Sequence, residues 1–300
     1  MKALTYDEYG DPDVLHVADV AEPHAGPGQV RVRVSAASIN PIDWKLVSGA
    51  RGAQPLTEPG IPGFDAAGVV DEVGDGVTGV AVGDDVFGLG SHTQAELAVL
   101  DAWAAKPASL DWAVAAAAGV ALETAERGLR LLGVKPGDTL FVDGGAGGVG
   151  AVVVQAAVAL GLTVIASAGQ DNQDYLREIG ATPVLYGQGL VNRVQAIPDA
   201  RVDAVFDVAG KTAIADLLAL APEPGRVLSI ANFDLPAHGG IATGGGDGQS
   251  RPFDALSAGA SLLEQSRVVI KVQTFPLDRA VEAYRTSASG HLRGKLVLLP

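Results

Sequence analysis

An α/β fold, with a doubly wound parallel sheet and a second, mostly β domain, follows from three features of this sequence. Residues 138–161, DTLFVDGGAGGVGAVVVQAAVALG, read as a buried strand, a glycine-rich turn and a helix in immediate succession. Beyond them strands and helices alternate, which predicts a parallel sheet with helices on both faces. Ahead of residue 110 the chain instead shows short β-like runs separated by glycine, proline and aspartate.

In the first part, 30–34 (VRVRV), 68–73, 85–87 and 95–99 read as strands, and the alternation of Val and Arg at 30–34 suits a strand with one wet face. Alanine-rich stretches at 113–120 and 122–132 read as helix, stopped by Pro136 and Gly137. Then follow strand 139–142, helix 148–160, strand 163–166, helix 174–179, strands 183–186 and 204–208, helix 212–220 and strand 226–230. Residues 239–250 (GGIATGGGDGQS) have almost nothing to pack and read as a flexible, solvated loop with no assigned role. The chain closes with helix 257–263, strand 268–272, helix 277–286 and strand 295–299, and shows no internal repeat.

The turn at 144–150 is built to hold a pyrophosphate. Gly145, Gly147 and Gly150 fit G-x-G-x-x-G, one glycine for the tight turn, one for close backbone approach to the phosphates and one for helix–strand packing. The following helix points its amino end, with free N–H groups and a favourable dipole, at the ligand.

Composition excludes several function classes. At 300 residues and 48% hydrophobic, the chain has material for two cored domains. A formal net charge of −14 disfavours nucleic-acid and anionic-membrane partners. No apolar leader or 18-residue apolar run is present, so a cytoplasmic protein is expected. Cysteine is absent, which removes disulfides, a thiolate nucleophile and cysteine-ligated metal. The histidines at 16, 24, 92, 238 and 291 lack ligand spacing, so no metal site is expected. No tyrosine has lysine four residues on, no G-x-S-x-G occurs, and Gly210-Lys211-Thr212 imitates a Walker end whose first glycine falls at Val205.

ASINPIDWKLVSG at 37–49, IPGFDAAGVV at 61–70, VGDDVFGL at 82–89, VKPGDTLFVDGGAGGVG at 134–150 and LRGKLVL at 292–298 occur in the order of the medium-chain dehydrogenase/reductase superfamily. The chain most resembles its zinc-independent quinone oxidoreductase branch. The resemblance implies a GroES-like domain over 1–113 completed by 264–300, a Rossmann domain over 114–263, and a homodimer. A catalytic zinc in that superfamily needs a Cys near the position of Asn40, a His-Glu pair near Phe64 and Asp65, and a further Cys, none of which is here. Without that Lewis acid, reduction of an activated acceptor such as a quinone or an α,β-unsaturated carbonyl is easier chemistry than alcohol oxidation. Enone, 2-alkenal or enoyl reduction is the alternative acceptor class, and a non-catalytic NADP(H)-binding sensor or structural protein the alternative from another class.

The resemblance also implies roles. Gly145, Gly147, Gly148, Val149 and Gly150 hold the pyrophosphate. Thr124 meets the nicotinamide carboxamide. Ala209, Gly210, Ala231 and Phe233 border the ribose and nicotinamide, and Lys295 is a late cofactor contact. Ser167, where an acidic residue would repel a 2′-phosphate, tilts the cofactor to NADP(H) over NAD(H), with Tyr186 near the adenosine phosphate and Asn172 offering a neutral bond. Residues 168–173 nonetheless lack an Arg or Lys clamp, and Asp171 argues for NAD(H). Asn40, Asp43, Trp44 and Lys45 face the nicotinamide. Asn40 is the candidate donor to a substrate carbonyl, Asp43 as a carboxylate orients Lys45 or the backbone, Lys45 stabilises charge or relays a proton, and Phe64 packs by the cofactor.

Overall fold

The computed structural model describes residues 1–198, 201–290 and 292–300, so His291 lies outside the described residues. The chain divides into two units, the first comprising Met1–Val120, Pro252–Glu264 and Ile270–Pro300, the second Ala121–Arg251 and Gln265–Val269. In chain order the elements are β1 (Lys2–Thr5), β2 (His16–Asp19), β3 (Val30–Ile39), α1 (Pro41–Val47), β4 (Asp65–Val73), β5 (Asp85–Ser91), β6 (Leu97–Ala105) and α2 (Trp112–Leu132). Next come β7 (Thr139–Asp143), α3 (Gly148–Ala159), β8 (Thr163–Ala168), α4 (Gln173–Glu178), β9 (Thr182–Leu185), α5 (Leu190–Gln195), β10 (Ala204–Asp207), α6 (Ile214–Leu220), β11 (Val227–Ser229) and β12 (Ile241–Ala242). Last are α7 (Pro252–Glu264), β13 (Val272–Pro276), α8 (Ala280–Ala288) and β14 (Lys295–Leu299).

In the first unit, a six-stranded sheet runs β13-β14-β3-β4-β5-β6, and a further β3–β6 pairing curls its long strands into a barrel. Period-two alternation places Val30, Val32 and Val34 inside with Val70, Val86 and Leu100, as the VRVRV pattern predicts. The carboxy-terminal strand β14 pairs antiparallel with β3 and so belongs to this unit. A second core gathers Leu4, Ile39, Val47, Phe275, Leu296 and Leu298 around Tyr284. Helix α7 belongs here too: Phe253 meets Trp103 of β6 edge to face, ring centroids 5.2 Å apart. The implied boundary at 263/264 therefore moves, with 252–264 in the first unit and only 265–269 returning to the second. The strand expected at 268–272 forms at Val272–Pro276, where it finds β14 as a parallel partner.

In the second unit, six strands run β12-β11-β10-β7-β8-β9, each neighbouring pair parallel. Counted from β7, that is the order 3-2-1-4-5-6 reversed end for end, a doubly wound sheet whose switch point lies between β7 and β10. Helix α3 is apolar all round because eight of its residues, 150–157, are buried. The loop expected to be flexible is instead tied down. It contributes β12, and then curls about Asp247, whose carboxylate accepts from Thr243 Oγ1 at 2.5 Å and from the Gly244 and Gln249 amides. Arg127 donates to Thr243 Oγ1 at 2.6 Å, and the same guanidinium is paired with Glu123 at 2.7 Å. Among the described residues no helix is long and apolar enough to cross a membrane.

Helix α2 is continuous where two stretches were expected, and Gly128 explains its fit to the sheet of the second unit. A Cβ at 128 would lie 2.2 Å from the ring of Phe206, which is fully buried. Gly128→Val is expected to lower stability by about 1–3 kcal/mol through overpacking, despite better helix propensity, read as a drop in Tm by calorimetry.

Candidate functional site

The carboxyl ends of β7 and β8 are joined before any ligand is considered. Ser167 Oγ donates to Asp143 Oδ1 at 2.5 Å and accepts from the Gly144 amide at 3.0 Å, while Gly145 N donates to the Ser167 carbonyl at 2.9 Å. Burial raises the Asp143 pKa, against the Ser167 hydrogen bond that lowers it. The turn's glycines have separable reasons. Gly144 sits at φ +83°, Gly145 would drive a Cβ to 2.7 Å from Ala166, and Gly150 to 2.1 Å from the Gly144 carbonyl oxygen. Gly147 is different: it caps α3 with extended backbone, and its Cβ would meet nothing nearer than 3.6 Å. Protein packing therefore does not demand glycine at 147. The open space at the amino end of a 12-residue helix fits a pyrophosphate brought against the backbone.

The other expected cofactor residues mostly share this edge. Asp207, at the end of β10, accepts from the amides of Ala209 and Gly210 at 3.0 and 2.7 Å and from Ser229 Oγ at 2.7 Å. Ser229 in turn accepts from the Ala231 amide at 3.1 Å. Phe233 is 45% exposed beyond β11. Tyr186 follows β9 and is exposed, with its ring near Gly169, and Asn172 lies in the turn after β8. Ser167 itself is fully buried, its hydroxyl committed to the turn. Thr124 is buried on α2, 3.5 Å from Glu123 Oε2.

The first unit holds a buried polar cluster. Asn40, at the start of α1, donates from Nδ2 to Asp65 Oδ1 at 2.8 Å and to Ser38 Oγ at 3.4 Å, and its Oδ1 accepts from Lys295. Both amide hydrogens are thus directed into the protein, and the residue is 1% exposed. Lys295 lies 3.8 Å from Asp65 Oδ2, which also accepts from the Val120 amide at 2.9 Å. Asp43 is fully buried. Its Oδ2 accepts from the Asn40 amide at 2.8 Å and from Gln94 Nε2 at 3.2 Å, and Tyr284 donates to Gln94 Oε1 at 2.7 Å. Asp43 Oδ1 has no hydrogen-bond partner.

Burial pushes the Asp43 carboxyl up to about 8; the Asn40 amide bond opposes it, the nearby Asp65 charge adds to it, and Lys295 and Gln94 pull it back. Burial thus favours the protonated form of Asp43 at neutral pH, where the sequence reading has it as a carboxylate. It holds the backbone of the β3–α1 turn and makes no bond to Lys45, whose ammonium lies 5.5 Å from the Trp44 ring centroid and has its pKa lowered by burial and by Arg51. Phe64 is partly buried, its carbonyl accepting from the Gly90 amide. The residues that sequence reasoning missed, Ser38, Gln94, Tyr284, Asp207 and Ser229, carry no motif. Buried polar side chains in apolar strands, such as Asp207 after AVF, were the one available signal. Among the described residues no group of three or more His, Cys, Asp or Glu is arranged to hold a metal ion.

Residues 26–106 match the alcohol dehydrogenase GroES-like domain family, and 148–243 the zinc-binding dehydrogenase family. The chain is 30% identical, over its whole length and 80% of the relative, to the chloroplastic NADPH-dependent alkenal/one oxidoreductase of Arabidopsis thaliana. It is 31% identical to the quinone oxidoreductase of Homo sapiens over 77% of this chain and 73% of that one. Among solved structures, the quinone oxidoreductase from Coxiella burnetii superposes with a TM-score of 0.88 at 28% identity, covering 100% of this chain and 99% of that one.

A carboxyl whose pKa is raised on folding binds more protons in the folded than in the unfolded chain between its two values. Stability contributed by neutral Asp43 is complete below about pH 4 and lost as pH climbs through about 8. Asp43→Asn, neutral at every pH with the same outline, is expected to flatten that decline, measured as denaturant midpoints from about pH 5 to about pH 9.

Proposed function

The chain belongs to the quinone oxidoreductase branch of the medium-chain dehydrogenase/reductase superfamily, and from that premise we propose that it uses NADPH to reduce a quinone or an α,β-unsaturated carbonyl without a metal ion. It is an NAD(P)H-dependent oxidoreductase. The observation that carries the reading is Gly147 at the amino end of α3, where a Cβ would meet nothing nearer than 3.6 Å, on the carboxyl edge of a doubly wound sheet.

Bound there, a dihydronicotinamide dinucleotide supplies a hydride to an electron-poor carbon. The chain's own work is binding and charge management. Gly145, Gly147, Gly148, Val149 and Gly150 present the turn and the α3 amino end to the pyrophosphate. Asp143 and Ser167 keep that turn closed, and Asp207 with Ser229 fixes the backbone at Ala209, Gly210 and Ala231. In the first unit, the one ammonium of Lys295 offsets Asp65 while Asp43 stays neutral, so the buried cluster is balanced without a divalent cation. Its Asn40 amide, tied at both ends, serves to hold Lys295 and Asp65 in register. The absence of cysteine supports a metal-free reaction on an acceptor that is already electrophilic.

Alkenal or enone reduction is the second reading, favoured by the likeness to the alkenal/one oxidoreductase over the whole chain. A panel of quinones, enals and simple alcohols, followed by loss of reduced-cofactor absorbance, separates the two. Turnover of quinones or enals with NADPH is expected, whereas zinc-dependent oxidation of simple alcohols refutes the metal-free reading. Gly147→Asp, placing a side chain and a charge against the pyrophosphate, is expected to weaken NADPH binding at least about 100-fold with little change in Tm, since that space is otherwise open; unchanged affinity by nicotinamide fluorescence would put the pyrophosphate elsewhere.

A further inference from the structure

Residues 168–173, after β8, where the adenosine ribose is read in this fold, contain no Arg or Lys. A cation reaches the same edge from α5. Arg193 Nε and Nη2 donate to the Leu185 carbonyl at 3.0 and 2.8 Å, Nη2 also to those of Tyr186 and Gly187 at 3.1 Å each, and Nη1 to that of Gln188 at 2.8 Å. One guanidinium thus gathers the whole turn that follows β9.

That turn adjoins the ribose loop. Ala168 and Leu185 are opposite each other in the parallel β8–β9 pair, the Tyr186 amide donates to the Ala168 carbonyl at 3.4 Å, and a Cβ on Gly169 would lie 3.4 Å from the Tyr186 ring. Arg177, the other basic residue between 163 and 198, is paired with Asp174 at 2.5 Å. These five bonds of Arg193 all go to backbone carbonyls and none to a carboxylate, and they leave one Nη1 hydrogen over.

We propose that Arg193 selects the 2′-phosphorylated dinucleotide, its guanidinium supplying positive charge to the phosphate and holding Tyr186 beside it. The inference rests on the NADPH reading above. A guanidinium already held by its own turn loses little freedom when an anion arrives, and its remaining Nη1 hydrogen can donate one charge-assisted bond to a phosphate oxygen. Asp171 on the same loop opposes the attraction, so the discrimination expected is moderate.

The full chain is titrated with NADPH and NADH by nicotinamide fluorescence, and with 2′,5′-ADP and 5′-AMP by calorimetry, which needs no turnover. Arg193→Gln removes the charge while keeping an N–H pair for the carbonyls, and Arg193→Lys keeps the charge without the fork. In Arg193→Gln, affinity for NADPH and 2′,5′-ADP is expected to fall about ten- to 100-fold, with NADH and 5′-AMP within about two-fold of wild type. Arg193→Lys is expected to retain most of the preference. In the unaltered chain the advantage of 2′,5′-ADP over 5′-AMP is expected to shrink as salt is raised. Equal weakening of both cofactors in Arg193→Gln, an unchanged NADPH affinity, or a salt-independent advantage overturns the role of Arg193. A wild-type chain that binds NADH better than NADPH, or neither, instead refutes the cofactor reading itself.

Discussion

The cofactor side of this protein depends on one hydrogen bond, from Ser167 to Asp143 at the carboxyl ends of neighbouring parallel strands. Asp143 is buried, and an unsatisfied carboxyl there would be costly. Ser167 satisfies one of the two Asp143 oxygens, Oδ1, and, through its second bonding capacity, takes up the Gly144 amide. The turn is thereby closed at its first glycine, which lets Gly150 approach the Gly144 carbonyl and starts α3 where its free N–H groups face outward. The same device recurs on the next strands, where Ser229 and Asp207 hold the Ala209–Gly210 backbone. A sheet edge that must stay open to a ligand is kept rigid by paired short polar side chains rather than by packing.

The first unit solves a different problem. Two aspartates and a lysine lie in one buried cluster, and such charges are tolerated only if they are paired or neutralised. Lys295 covers Asp65, and burial, with the Asp65 charge adding to it, raises the Asp43 pKa and favours its protonated form. Asn40 spends its whole amide on keeping these groups apart and aligned.

Period and punctuation made most elements legible. VRVRV foretold which face of β3 is buried, and the glycine spacing at 145, 147 and 150 marked the turn between β7 and α3, whereas α2 ends at Leu132 before Gly133 at φ +60°, ahead of the proline and glycine at 136 and 137. The misses have physical causes. The stretch 239–250 looked unstructured because its ties, Arg127 and Arg130, come from a helix over 100 residues earlier: Arg130 reaches the Gln249 carbonyl, and Arg127 reaches Thr243. The strand at Val272–Pro276 was displaced by four residues because its register is set by β14 and not by local pattern.

What the sequence by itself determined is the pair of folds, the glycine turn between β7 and α3 and the lack of thiolate ligands, because these rest on local periodicity, glycine spacing and composition. Only the tertiary structure decided the burial that raises the Asp43 pKa, the burial of Lys295 against Asn40 across 255 residues, and the gathering of the β9 turn by Arg193. Desolvation and long-range pairing depend on which side chains surround a group in space, and no spacing along the chain encodes that neighbourhood.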